Sequence, residues 1–182
     1  GERVYNLSAG EPMLPTPEVI RAAASKAMGE GKTLYSPIAG IPELREAAKE
    51  WMNGSYGTAF EKNNTLVTCG GKHGLLMLLQ TLLEPGDEAV VIAPYWVSYP
   101  SMVTLCGGVP VFVNTTSDQG WKATPEGIAS KITPRTKILI LNNGANPTGV
   151  VYTKDEIGKF LAVAKKHGVK VMSDEIYSGL VY

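Results

Sequence analysis

From residue 66 onward, short apolar runs alternate with segments whose apolar residues recur at helical spacing. Five runs predict strands, and most of them are largely apolar rather than alternating, which is typical of strands that are buried on both faces. The helical segments between them favour parallel pairing, because parallel strands need a crossover connection. We therefore predict an α/β fold, a three-layer sandwich around a mostly parallel sheet. The predicted strands span residues 66–69, 89–93, 109–113, 137–141 and 169–172.

Capping signals mark two of the predicted helix starts. Thr124 precedes Pro125, and Thr153 is followed three residues later by Glu156, which is the spacing of a capping box. The residues before Pro15 show no periodic pattern and are rich in Pro and Gly, so we expect an irregular arm there. The predicted helices span residues 17–29, 42–52, 75–83, 98–106 and 125–131, with a further helix between Thr153 and Gly168.

Composition narrows the possible classes of protein. A length of 182 residues suits one domain or part of a larger one, and 44% apolar against 19% charged residues excludes a disordered chain. Seventeen basic residues balance seventeen acidic ones, so neither nucleic acid nor an anionic membrane is an expected partner. No apolar run approaches the ~20 residues of a membrane span. Cys69 and Cys106 form no metal or disulfide pattern, so we expect a cytoplasmic location.

Ligands of open parallel sheets bind beyond the carboxyl ends of the strands, and polar or aromatic residues follow the predicted strands there. Gly70-Gly71-Lys72 suits a phosphate group, because glycines permit close approach and a helix start offers free amides. The same residues could form a plain tight turn, since neither a Walker pattern nor a dinucleotide fingerprint is present.

The other strand-end residues are also ambiguous one by one. Asp174 is either a helix cap or a carboxylate for a cationic nitrogen, and Trp96 alone would be assigned to the core. The run from Asn146 to Gly149 could be only a turn. His73 and His167 form no metal cluster with other residues of the sequence.

Taken together and in order, the motifs are far more specific. They are Tyr35, Gly40-Ile41-Pro42 with Leu44 and Arg45, Gly70-Gly71-Lys72, Pro94-Tyr95-Trp96, Asn146-Pro147-Thr148-Gly149 and Ser173-Asp174-Glu175-Ile176-Tyr177. This order resembles that of the class I aminotransferases, which are pyridoxal 5'-phosphate (PLP) enzymes of fold type I, and is most similar to bacterial-type aspartate aminotransferases. The resemblance covers nearly the whole chain, and it implies that residues 15–182 are part of the large PLP-binding domain and residues 1–14 an arm or small-domain segment.

The resemblance implies a role for each matching residue. The Gly70-Gly71-Lys72 loop would hold the cofactor phosphate, Trp96 would stack on the pyridine ring, and Asp174 would pair with the ring nitrogen. A carboxylate there favours the protonated ring, which draws electrons from the substrate. Tyr177 would hydrogen-bond the ring 3-oxygen and act with Asp174 in catalysis.

Further roles concern the substrate and the assembly. Asn146 would contact the ring 3-oxygen and, with Trp96 and the backbone near Gly10, the substrate. Tyr35 would reach the cofactor phosphate of a neighbouring subunit, which implies a homodimer. The family also leads us to expect cis peptide bonds before Pro147 and, with less support, before Pro94.

The implied activity is PLP-dependent transamination of an L-amino acid with a keto acid, with aspartate and 2-oxoglutarate as the best guess. In the family, the lysine that forms the Schiff base lies beyond the position that matches Tyr182, so we expect no turnover from these 182 residues alone. The family's last strands lie between the strands matching residues 66–69 and 169–172, so we also expect an unpaired sheet edge there. Alternatives are a β-lyase or an aminocyclopropane-carboxylate synthase, or a degenerate ligand-sensing domain. A generic nucleotide-binding module is a further alternative, although its glycine fingerprints are missing.

Overall fold

The computed structural model describes Gly10 and residues 14–180, and these residues divide into two compact units between Leu66 and Val67. The first unit contains two helices, α1 (Glu18–Gly29) and α2 (Pro42–Tyr56). Helix α2 runs past its predicted end and stops at Gly57, whose φ of 64° is accessible to glycine without strain. Arg45 fixes the segment that follows, because its guanidinium donates hydrogen bonds of 2.9 Å to two main-chain carbonyls.

The second unit is built on four parallel strands in the order β2-β1-β3-β4, which confirms the predicted α/β class. Every connection between consecutive strands passes through a helix, as parallel pairing requires. The elements in chain order are α3 (Gly71–Leu82), β1 (Glu88–Ala93), α4 (Ser98–Leu105), β2 (Val109–Asn114), α5 (Pro125–Ala129), β3 (Thr136–Asn142), α6 (Lys154–Lys166) and β4 (Lys170–Asp174).

Alternate residues of the central strands face two separate apolar cores, which makes this unit a three-layer sandwich. In β1, Val91 faces the core formed with α3 and α4, whereas Val90 faces the core formed with α5 and α6. Continuous apolar runs are therefore required in these strands. The first core contains Leu79, Tyr99, Met102, Val103, Ile138 and Ile140, and the second contains Ile128, Leu139, Leu141, Phe160 and Ala164.

The prediction of a fifth strand at residues 66–69 is wrong. Residues 65–68 have no regular secondary structure, and they pair with none of the strands in the described part of the chain. A strand needs backbone hydrogen bonds to a neighbour, and an apolar run does not by itself provide that neighbour. Helix α3 begins at Gly71, four residues before the predicted start, and α5 ends two residues earlier than predicted.

The two capping predictions are confirmed. Thr124 accepts a hydrogen bond from the Gly127 amide at 3.0 Å. The Thr153 hydroxyl accepts from the Glu156 amide at 3.2 Å, and the Glu156 carboxylate accepts from the Thr153 amide at 2.7 Å. Within residues 14–180, no helix combines the length and the apolar character that crossing a membrane would require.

Candidate active site

The carboxyl ends of β3 and β4 lie side by side, because Asn142 and Asp174 are paired in register. Asn142 forms hydrogen bonds with two predicted site residues, Asp174 and Asn146. Its side-chain amide donates to the main-chain oxygen of Asp174 at 3.0 Å, and its Oδ1 accepts from the Asn146 amide at 3.0 Å. The sequence analysis assigned no role to Asn142, because the spacing of 32 residues to Asp174 conceals this contact.

Both oxygens of the half-buried Asp174 carboxylate accept hydrogen bonds. Oδ2 accepts from the Tyr99 hydroxyl at 2.7 Å, and Oδ1 accepts from the Ile176 amide at 3.2 Å. Tyr99 is only 3% exposed, and this burial, followed by the contact with Asp174, raises the pKa of its phenol. The sequence analysis missed Tyr99, although a tyrosine in the helical turn after Trp96 was a signal that could have identified it.

The loop after β3 places a second polar pair beside this edge. The Asn146 side-chain amide donates to the Tyr177 hydroxyl at 3.2 Å, so two residues that are 31 positions apart form one hydrogen-bonded unit. The peptide bonds Ala93-Pro94 and Asn146-Pro147 are both cis, as predicted. Asn146 and Tyr177 are half-buried, which leaves part of each polar group accessible.

Trp96 serves partly as a core residue and partly as a surface for other groups. It is half-buried against the first core and contacts the Tyr99 ring edge-to-face, with 5.3 Å between the ring centroids. The Lys72 ammonium lies 4.8 Å from the centroid of the Trp96 ring, which is a cation–π distance. The Gly70-Gly71-Lys72 loop and the strand end at Trp96 are therefore neighbours in the fold.

The start of α3 has the features of an anion site. Gly70 adopts a φ of 83°, and α3 begins directly after it, so the first amides of the helix have no partner within the helix. Side chains at positions 70 and 71 would meet no heavy atom within 4 Å, so open space lies above this backbone. Lys72 is exposed and adds a positive charge next to these amides.

These groups fit PLP by their chemistry. A carboxylate suits its ring nitrogen, the Asn146 and Tyr177 pair suits an aromatic oxygen, an indole face suits the ring, and Lys72 with the start of α3 suits a phosphate. Gly10 and the fully exposed Tyr35 belong to the first unit, and their roles stay predictions. No group of three or more His, Cys, Asp or Glu residues that could hold a metal occurs in residues 14–180.

Comparison with known proteins is consistent with this site. The chain is 48% identical over all of its residues to the aspartate/prephenate aminotransferase of Thermus thermophilus, covering 47% of that protein, and 46% identical to the aspartate aminotransferase of Geobacillus stearothermophilus, covering 46%. A solved Thermus thermophilus aspartate aminotransferase double mutant superposes with a TM-score of 0.95 at 47% identity, over 97% of this chain and 46% of that one. The chain thus spans about half the length of the curated relatives it matches.

The sequence pattern of one protein family covers residues 2–182, which is nearly the entire chain. The chain therefore belongs to the class I and II aminotransferase family.

Proposed function

We propose that the intact protein is a PLP-dependent aminotransferase that moves the amino group of an L-amino acid to a keto acid. The observation that carries this proposal is the pair of hydrogen bonds made by Asn142, which bring the Asp174 strand and the Asn146 loop to one edge of the sheet. The Asp174 carboxylate and the Asn146–Tyr177 pair match the polar groups of one aromatic cofactor, and the Trp96 indole matches its ring.

Each residue has a separate task in this proposal. Asp174 would accept a hydrogen bond from the protonated ring nitrogen, and Tyr177 with Asn146 would bind the ring oxygen. Trp96 orients the ring, while Lys72 and the first amides of α3 neutralise the phosphate. When bound, PLP supplies an electron-withdrawing ring that stabilises negative charge on the substrate carbon. The chain's own contribution is to position that ring and to keep its nitrogen protonated.

Aspartate and 2-oxoglutarate are the proposed substrates. The relatives named above, at 46% and 48% identity, are called aspartate and aspartate/prephenate aminotransferases, which supports an acidic amino acid as the donor. In this proposal Asn146 and the backbone near Gly10 bind the substrate carboxylate, and Tyr35 completes the phosphate site of a second subunit in a cytoplasmic homodimer.

The test is a transamination assay on the intact protein supplied with PLP, aspartate and 2-oxoglutarate. We expect oxaloacetate and glutamate in equal amounts. Release of ammonia with a keto acid would instead indicate a lyase. PLP binding without turnover of a panel of amino acids would indicate a ligand-sensing protein, and either result would overturn the proposal.

A further inference from the structure

The orientation of Asp174 is decided by two donors from different elements. Its Oδ1 accepts from the Ile176 amide in the turn after β4, and its Oδ2 accepts from Tyr99 on α4. The terminal torsion of an aspartate has a broad energy profile, so the backbone of β4 alone does not set the plane of the carboxylate. One hydrogen bond on each oxygen sets that plane.

Tyr99 is well suited to this task because its own position is fixed. Its ring belongs to the first core, together with Leu79 and Val103, and it contacts the Trp96 ring edge-to-face. Packing of α4 on the sheet therefore determines where the hydroxyl lies. Burial raises the pKa of this phenol, so the group remains a hydrogen-bond donor.

We propose that Tyr99 is a positioning residue that holds the Asp174 carboxylate in the orientation needed by the cofactor ring nitrogen. The inference rests on the proposed function, and in it Tyr99 acts only through Asp174. The hydrogen bond that the phenol donates to Oδ2 can fix this orientation, since hydrogen bonds to a charged acceptor are stronger than those to a neutral one.

The test compares Tyr99→Phe with Tyr152→Phe in the intact protein. Tyr152 is a matched control, because it is 6% exposed, its hydroxyl accepts a hydrogen bond of 3.0 Å from the Ala123 amide, and it belongs to the second core. We expect Tyr99→Phe to weaken PLP binding about tenfold, the effect of one lost hydrogen bond to a charged group. Tyr152→Phe should leave PLP binding unchanged, and urea unfolding of both variants reports the stability that each loses.

A double-mutant cycle shows whether Tyr99 acts through Asp174. In an Asp174→Asn background, Tyr99→Phe should cause no further loss of PLP affinity, because the carboxylate that it positions is gone. Nitrogen-15 NMR of labelled PLP should also show a less protonated ring nitrogen in Tyr99→Phe than in the wild type. Additive losses in the cycle, or equal PLP affinities in Tyr99→Phe and Tyr152→Phe, would overturn the proposal.

Replacement of Tyr99 by p-aminophenylalanine provides a rescue and a fallback if Tyr99→Phe does not fold. This residue keeps the ring and an N–H donor, so PLP affinity should return towards that of the wild type, whereas p-fluorophenylalanine should not restore it. Equal affinities for the two replacements would contradict the inference. If the wild-type protein neither binds PLP nor transaminates, the proposed function itself is wrong. That result is distinct from the variant results that would contradict the role of Tyr99.

Discussion

Two carboxylates lie at opposite ends of the same sheet, Glu88 at the amino end of β1 and Asp174 at the carboxyl end of β4. Glu88 is 3% exposed, and its Oε1 accepts from the Arg135 guanidinium at 2.8 and 3.1 Å. Its Oε2 accepts from the hydroxyls of Thr133 and Thr136, the latter at 3.0 Å. Asp174 is half-buried and accepts two hydrogen bonds in the described part of the chain, one on each oxygen.

A carboxylate can accept about four hydrogen bonds. Glu88 has all four filled from within the chain, so it has no capacity for a ligand and serves stability alone. Asp174 retains capacity after its two hydrogen bonds, which is what a binding residue requires. The difference teaches that two carboxylates of the same sheet are separated by burial and by the degree to which their hydrogen-bonding capacity is filled, and that the less saturated one is the candidate functional group.

The largest expected effect is that of Asp174→Ala in the intact protein. Turnover of aspartate should fall about 10²-fold or more, because a preorganised charge next to the reacting system is removed. The free energy of unfolding should fall by only about 1 kcal/mol, because the buried Tyr99 hydroxyl loses its acceptor. Glu175→Gln, an exposed carboxylate at the next position, is the matched control and should keep wild-type kinetics. Full activity of Asp174→Ala would contradict the assignment of Asp174 as a functional carboxylate.

Glu88→Gln should have the opposite profile. Its free energy of unfolding should fall by about 2 kcal/mol, since hydrogen bonds to a buried charged group are replaced by neutral ones. PLP affinity should not change. Asp155→Asn removes one partner of an exposed ion pair with Lys159 and should leave stability nearly unchanged. A loss of PLP affinity in Glu88→Gln would mean that the two ends of the sheet are coupled.

Lowering the pH should remove the stabilisation that the Glu88 carboxylate provides. The hydrogen bond from Thr133, helped by Arg135 and Thr136, holds the pKa of Glu88 below its ordinary value of 4.5. Because the folded pKa is the lower one, its stabilisation is complete above about pH 4.5 and is lost as the pH falls through the folded value. The stability gap between wild type and Glu88→Gln should therefore narrow in urea titrations as the pH falls below about 4.5. A gap that stays constant would contradict this assignment.

The smallest expected effect concerns the start of α6. Thr153→Ala removes the hydroxyl half of the capping box and should lower the free energy of unfolding by about 1 kcal/mol. PLP binding should be unaffected, because Thr153 contacts none of the proposed cofactor residues. Thr153→Ser keeps a capping oxygen and should retain most of the stability. A change in PLP affinity would show that polar residues matter for binding even without contact to Asp174 or Asn146.

Local signals in the sequence were sufficient for much of the fold. The capping box at Thr153 was predictable because it involves residues three positions apart, and the strand at Thr136–Asn142 was predictable because its apolar run is continuous. The strand at residues 66–69 was predicted wrongly, since it required a hydrogen-bonding neighbour that an apolar run does not reveal. The resemblance led us to predict that Asn146 and Tyr177 act on the same ring oxygen, and the hydrogen bond between their side chains had to come from the structure.

By itself, then, the sequence determined the α/β class, most element boundaries and the residue types at the strand ends, because these depend on periodicity and on contacts between near neighbours. Only the tertiary structure decided that Tyr99 meets Asp174 across 75 positions, that Asn142 joins β4 to the Asn146 loop, and that Glu88 is saturated. The physical reason is that these contacts depend on how helices pack and how parallel strands align in register, and both are set by the whole core rather than by any local segment.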